Sequence, residues 1–290
     1  MFCEVLASIA QGFPAEHKRM RETRTPQLYL PRLPPKAMTS RCHFLLDKPR
    51  IPWYNNGKEG DNMKNELVIY HGSENIIEKP EYGKGKPYND YGLGFYCTEY
   101  IDLAKEWACD DKHGGYANKY ILDMTGLKVL DLNSKDFCII HWISVLLKNR
   151  KFTIDNDFGN SAREYILKNF SVNTEGYDII KGYRANDSYF SYARDFLQNG
   201  ISVRRLAQVM KLGNLGNQIV LISPKAFSQI KFAGYEEAPK DIHFPLRKKR
   251  DELARLSYLS DKKGAGFDPN DILMIDIMRG EIKSDDPRLQ

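Results

Sequence analysis

Two kinds of hydrophobic patterning divide the chain near Met63. Residues 1–62 hold neither a period of two nor one of 3.6, and prolines such as those in Pro31-Arg-Leu-Pro-Pro35 interrupt every run. Such a stretch does not build a compact domain. Beyond it, Leu67-Val-Ile-Tyr70 is a β-rich run that enters a turn at His71-Gly72-Ser73. After a Gly/Pro/Lys loop over residues 80–90, residues 93–98 read as a second strand. Apolar positions then recur at helical spacing over 102–110, with Leu103, Trp107, Ala104 and Ala108 facing inward. Residues 120–124 and 128–132 are expected to pair as strands across Thr125-Gly126. Helices follow at 134–148 and 161–169, a short strand at 177–180, and helices at 188–198 and 202–212 parted by the stop signal Asn199-Gly200. Strands at 218–222 and 229–232 close this pattern. Past Glu236 come two charged amphipathic helices, near 245–259 and 269–279.

Charge and composition sharpen the division. Residues 1–62 hold seven of the 14 prolines, and ten Lys/Arg against six Asp/Glu, which is +4 of the chain's net +5. The body of the chain therefore has no basic excess of the kind that marks a nucleic-acid surface. Lys58-Glu59-Gly60 can be encoded by a ribosome-binding sequence just upstream of Met63, so Met63 is the expected natural start and 1–62 is not expected to contribute to the fold. The expected organisation is a Pro/Arg-rich extension (1–62), a domain over 63–235 and a helical C-terminal unit over 236–290. No apolar run approaches the roughly 18 to 20 residues of a membrane span, and residues 5–10 follow Glu4 instead of a basic cluster, against a signal peptide. Five cysteines (Cys3, Cys42, Cys97, Cys109, Cys138) without paired ligand spacing point to free thiols in a reducing, cytoplasmic setting. The six histidines lack ligand spacing too, so no metal is expected. Gly83-Lys-Gly85-Lys lacks the ending of a phosphate loop, and Arg247-Lys-Lys-Arg250 reads as a solvated helix face.

Three pieces carry candidate chemistry: Ile69-Tyr70-His71-Gly72-Ser73, then Gly92-Leu-Gly94-Phe95-Tyr96-Cys-Thr98, then Asn217-Gln218-Ile219-Val220. In this order the chain resembles ADP-ribosyltransferases of the diphtheria-toxin and poly(ADP-ribose)-polymerase type. It is more similar still to the bacterial family called domain of unknown function 3990, over about 67–232. The resemblance implies an α+β fold: a split, strongly twisted antiparallel β-sandwich with helices inserted after strands, followed by the small helical unit. It implies that NAD is the substrate and that ADP-ribose passes to a macromolecular acceptor, protein or nucleic acid. A toxin or effector role, with room for an antitoxin or immunity partner, goes with it; a membrane does not. His71 would hydrogen-bond the ribose beside nicotinamide, the Gly72 backbone would hold the nicotinamide amide, and Tyr96 would stack on the ring with Trp107 over its other face.

A cationic pyridinium is attracted to an aromatic face by about 0.5–2 kcal/mol when desolvated. As nicotinamide departs neutral, positive charge develops on the ribose, and a nearby carboxylate is the usual stabiliser. The resemblance implies a Glu at position 218, where this chain has Gln218, which carries no charge. The first candidate to supply it is Asp187, whose neighbour Arg184 would contact a dinucleotide phosphate; the commoner role for an Asp in that place is to cap the helix that follows it. Asp90 is the second candidate. Two further readings stand beside transfer: water as acceptor, giving an NAD glycohydrolase, or a module that binds NAD or protein without turnover.

Overall fold

The structure, a computed structural model, describes residues 65–151, 153–185, 187–210, 216–264, 268–283 and 286–289. The side chains of 187–189, 257 and 260–264 lie outside that description, as do all expectations for 1–62 and the end of the helix expected at 202–212.

The first run is longer than its composition suggests. β1 (Glu66–Ser73) passes straight through His71 and Gly72, paired antiparallel with β3 (Gly115–Asp123). The cause is Asn118, wholly buried on β3 opposite His71. Its amide nitrogen donates to the His71 carbonyl at 3.3 Å and to Ser73 Oγ at 3.1 Å, while its oxygen accepts the Ile77 N–H at 2.9 Å. β7 (Ile230–Ala238) pairs with the far side of β3, completing a three-stranded sheet, and runs past the expected stop at 232.

A second sheet holds four strands in the order β2 (Phe95–Cys97), β6 (Asn217–Leu221), β5 (Ile179–Tyr183), β4 (Val129–Asp131). The expected pairing of 120–124 with 128–132 is not made. The turn at Gly126 (φ 69°) carries the chain from one sheet to the other, and β4 pairs with β5 in parallel. The sandwich is therefore not wholly antiparallel.

Side-chain alternation sorts the second sheet into two cores. Ile179, Ile219, Leu221, Phe95 and Cys97 face Ile69, Tyr120 and Leu122 of the first sheet. Ile180 and Val220 point the other way, into a larger helical core built on Trp142, Ile143 and Leu146 of α2 (Ile139–Asn149). α3 (Asp157–Asn169), α4 (Asp187–Leu197) and α5 (Val203–Val209) complete it with Ile166, Phe196 and Leu206. The observed content is α+β, with two sheets and helices on one face of the larger.

The C-terminal helices share this core. Tyr258 of α7 (Lys240–Gly264) and Met274 and Ile277 of α8 (Met274–Met278) are buried in it. A one-turn α6 (Pro224–Ser228), capped by Ser223 with Pro224 at its first turn, lies between β6 and β7 and was not expected. α1 (Ile101–Ala108) packs its buried Leu103, Ala104 and Ala108 on the outer side of the first sheet. It comes so close that a Cβ at Gly72 would meet the Ala104 carbonyl oxygen at 2.0 Å.

Arg247 and Arg250 depart from the expected solvated face. Arg250 holds the buried Glu106 of α1 with two hydrogen bonds, at 2.9 and 2.7 Å, and Arg247 donates to the Cys109 carbonyl at 2.7 Å. Among the described residues no helix is long and apolar enough to cross a membrane.

Candidate functional site

The edge strands β1 and β2 meet once and then part. Tyr70 and Thr98 exchange backbone hydrogen bonds of 2.8 and 2.9 Å. Beyond that bridge the strands diverge into a cleft of about 600 Å³, within the usual range for small-molecule sites. His71, Tyr96, Trp107, Arg184 and Gln218 all line it. They come from four different elements and the loop after β5.

His71 stands on the wall between the sheets, its ring stacked on Phe95 with centroids 4.3 Å apart. Its Nδ1 lies 2.7 Å from the Tyr96 carbonyl oxygen, which can only accept. Nδ1 therefore carries the proton, and the neutral ring keeps Nε2 as an acceptor. Burial pushes the imidazole pKa down, so that neutral form is favoured.

The amide of Gly72 points off the open edge of β1. Tyr70 spends its backbone groups on Thr98, and the alternation of an antiparallel ladder turns Gly72 the same way. Gly72 itself is not among the residues lining the cleft.

Tyr96 offers its ring to the cleft and its hydroxyl to the loop before it. The hydroxyl donates to the Gly92 carbonyl at 2.6 Å and accepts the Tyr91 N–H at 3.1 Å. Gly92 meets this geometry at φ +76°, where a side chain would be strained and would strike Asn149. Tyr91 is pinned in turn, with Trp142 Nε1 donating to its hydroxyl at 2.8 Å. That hydroxyl fits only because Gly182 has no Cβ.

Between these anchors sits Asp90, 5% exposed. Its Oδ2 accepts the Ala185 N–H at 3.0 Å and the Gln218 amide at 3.4 Å, and its Oδ1 lies 3.3 Å from Arg150 Nε. Burial pushes its pKa up, and Arg150, the Ala185 N–H, Arg184 and Gln218 work against that rise. The structure thus brings Asp90 to Gln218. Asp187 is the first residue of α4, and its side chain lies outside the described residues. Arg150, at the end of α2 and 60 residues from Asp90, carried no local sequence signal.

Trp107 already holds a cation over its ring: the Arg184 guanidinium lies 4.2 Å from its centroid. Burial and the charge of Arg247 bring the Arg184 pKa down to about 10. Two buried polar atoms at the cleft find no partner, the donor Trp107 Nε1 and the acceptor Gln218 Oε1. Buried polar groups are normally satisfied, so both are suited to a ligand's polar atoms. The Lys84 and Lys86 loop forms another wall, giving the basic motif set aside as a phosphate loop a place at the site. Among the described residues no three His, Cys, Asp or Glu side chains are grouped to hold a metal ion.

Comparison with known protein families matches residues 67–232 to the family described as Protein of unknown function (DUF3990). The chain belongs to this family. No curated protein and no solved structure matches it. The DUF3990 match spans β1 to the first residues of β7, and so contains every residue named above as lining the cleft.

Proposed function

We propose that this DUF3990 protein transfers ADP-ribose from NAD⁺ to a macromolecular acceptor. The observation that carries the reading is the convergence of His71, Tyr96, Trp107, Arg184 and Gln218 on one cleft from positions spread over more than half the chain. In this reading the fold is the split sandwich of an ADP-ribosyltransferase, and the cleft between diverging edge strands is its NAD site. The nicotinamide ring lies against Tyr96 and Trp107, where an aromatic face attracts its positive charge. His71 Nε2 accepts from a ribose hydroxyl. Arg184 and the lysines of the 83–86 loop serve the diphosphate, since cationic side chains bind such oxyanions strongly.

In the reaction the bond between ribose C1′ and the pyridinium nitrogen breaks. Its electron pair leaves with the nitrogen, and nicotinamide departs neutral. The acceptor's lone pair forms the new bond at C1′, and the acceptor's proton passes to solvent. With water as the acceptor, the same cleft is an NAD glycohydrolase.

Incubation of the full chain with NAD⁺ labelled in the adenylate, in the presence of a bacterial lysate, tests the proposal. Label on protein or nucleic acid is the expected result. Free labelled ADP-ribose alone would favour hydrolysis, and intact NAD⁺ would leave only a binding role.

A further inference from the structure

Gln218 and Asp90 form a pair whose geometry decides what the cleft offers a ligand. A carboxylate only accepts hydrogen bonds. Asp90 Oδ2 therefore takes the amide nitrogen of Gln218, at 3.4 Å, and leaves Oε1 as the end without a partner. Asp90 is itself held on both oxygens, by the Ala185 N–H and Arg150, and its chain neighbours Tyr91 and Gly92 are fixed by Trp142 and Tyr96. Its position is thus set by the fold before any ligand arrives.

We infer that Asp90 is a positioning residue: it holds the Gln218 amide by its nitrogen and backs it with negative charge, so that the unpartnered oxygen recognises a hydroxyl donor in the cleft that Gln218 lines. A carboxylate behind an amide polarises it, making the outward oxygen a stronger acceptor. Two residues distant in sequence then do together what one carboxylate at 218 would do alone. This rests on the NAD reading, in which the donor is a hydroxyl of the ribose that develops positive charge. The pair itself is defined without any ligand. A reversed amide would put the Gln218 oxygen against the Asp90 carboxylate, two acceptors with no proton between them.

The test uses the full chain with Asp90→Asn, Gln218→Glu and the double variant Asp90→Asn/Gln218→Glu. Ligand-free melting and nicotinamide release from NAD⁺ are measured for each. Gln218→Glu places two carboxylates in contact and should melt lower than the parent. The double variant has one amide and one carboxylate again, in reversed order, and should regain most of that loss. For release, Asp90→Asn should cost kcat on the order of 10²-fold, with KM changed by much less. The double variant should recover to within about tenfold of the parent, since charge again stands at the cleft.

A residue that merely supports the loop predicts otherwise: the double variant would be no better than the weaker single one in either assay. That result, or parental kcat in Asp90→Asn, overturns the inference. A parent inert toward NAD⁺ overturns the proposed function instead. In that case the melting cycle alone decides the pair, which stands if the double variant is restored and falls if the two losses add.

Discussion

At His71 a hydrogen bond sets the tautomer and burial sets the pH dependence. Its neutral form is favoured by burial, so its pKa lies below 6.5 in the folded chain. A group with a depressed folded pKa contributes stability that is present above its unfolded pKa and lost as pH falls through the folded one. The melting difference between the parent and His71→Asn should therefore narrow on acidification below about pH 6.5. A difference that is constant or grows would contradict the buried neutral imidazole. Tyr96 makes a second prediction. Tyr96→Phe keeps the ring but strands the Tyr91 N–H and the Gly92 carbonyl. It should cost about 1–3 kcal/mol in denaturant unfolding, with a smaller effect on NAD⁺ affinity than Tyr96→Ala. At this scale the sequence was legible where a motif bears its own chemistry, as at His71, Tyr96 and Gln218. Arg150 and the Asp90–Gln218 contact were not, because they join positions 60 and 128 residues apart and depend on how loops close.

Among the elements, α1 is held closely on two sides, by the first sheet and by α7. The first sheet approaches one side so closely that Gly72→Ala drives a Cβ into the Ala104 carbonyl. That substitution should lower the melting temperature sharply, since backbone on both sides cannot give way. α7 grips the helix through Glu106 and Arg250, whose side chains are 5% and 27% exposed. Removing one partner of such a pair leaves a buried charge and costs about 3–5 kcal/mol. Arg250→Ala, which takes this partner from the buried Glu106 carboxylate, should therefore be markedly less stable than the double variant Glu106→Met/Arg250→Met, read by urea unfolding. Equal losses would mean that the pair does not join the two helices. The periodicity announced α1 and α4 to within two residues, and the ends of α2, α3, α7 and α8 to within five. It failed at 120–132, because two β-rich runs around a glycine turn look alike whether the chain makes a hairpin or crosses to another sheet. Leu122 enters one core and Leu130 the other, which no local pattern encodes.

Over the whole molecule, the second sheet serves as a shared wall. One face packs on the three-stranded sheet, the other on the helices, and the cleft lies where its edge strand β2 leaves β1. This layout explains why the site residues span so much of the chain: each wall comes from a different layer. It also explains why the C-terminal helices, expected as a unit of their own, matter to the site. α7 holds α1 through Glu106, the residue beside Trp107. Calorimetric titration of NAD⁺ into the full chain tests the assignment of this cleft as an NAD⁺ site. Saturable binding with one ligand per chain is expected. Trp107→Ala should weaken it by more than Trp107→Phe, which retains a π-face, and Tyr100→Ala, whose side chain is 59% exposed, should leave it unchanged. An absence of saturable heat in the parent, or undiminished affinity in Trp107→Ala, would contradict the assignment.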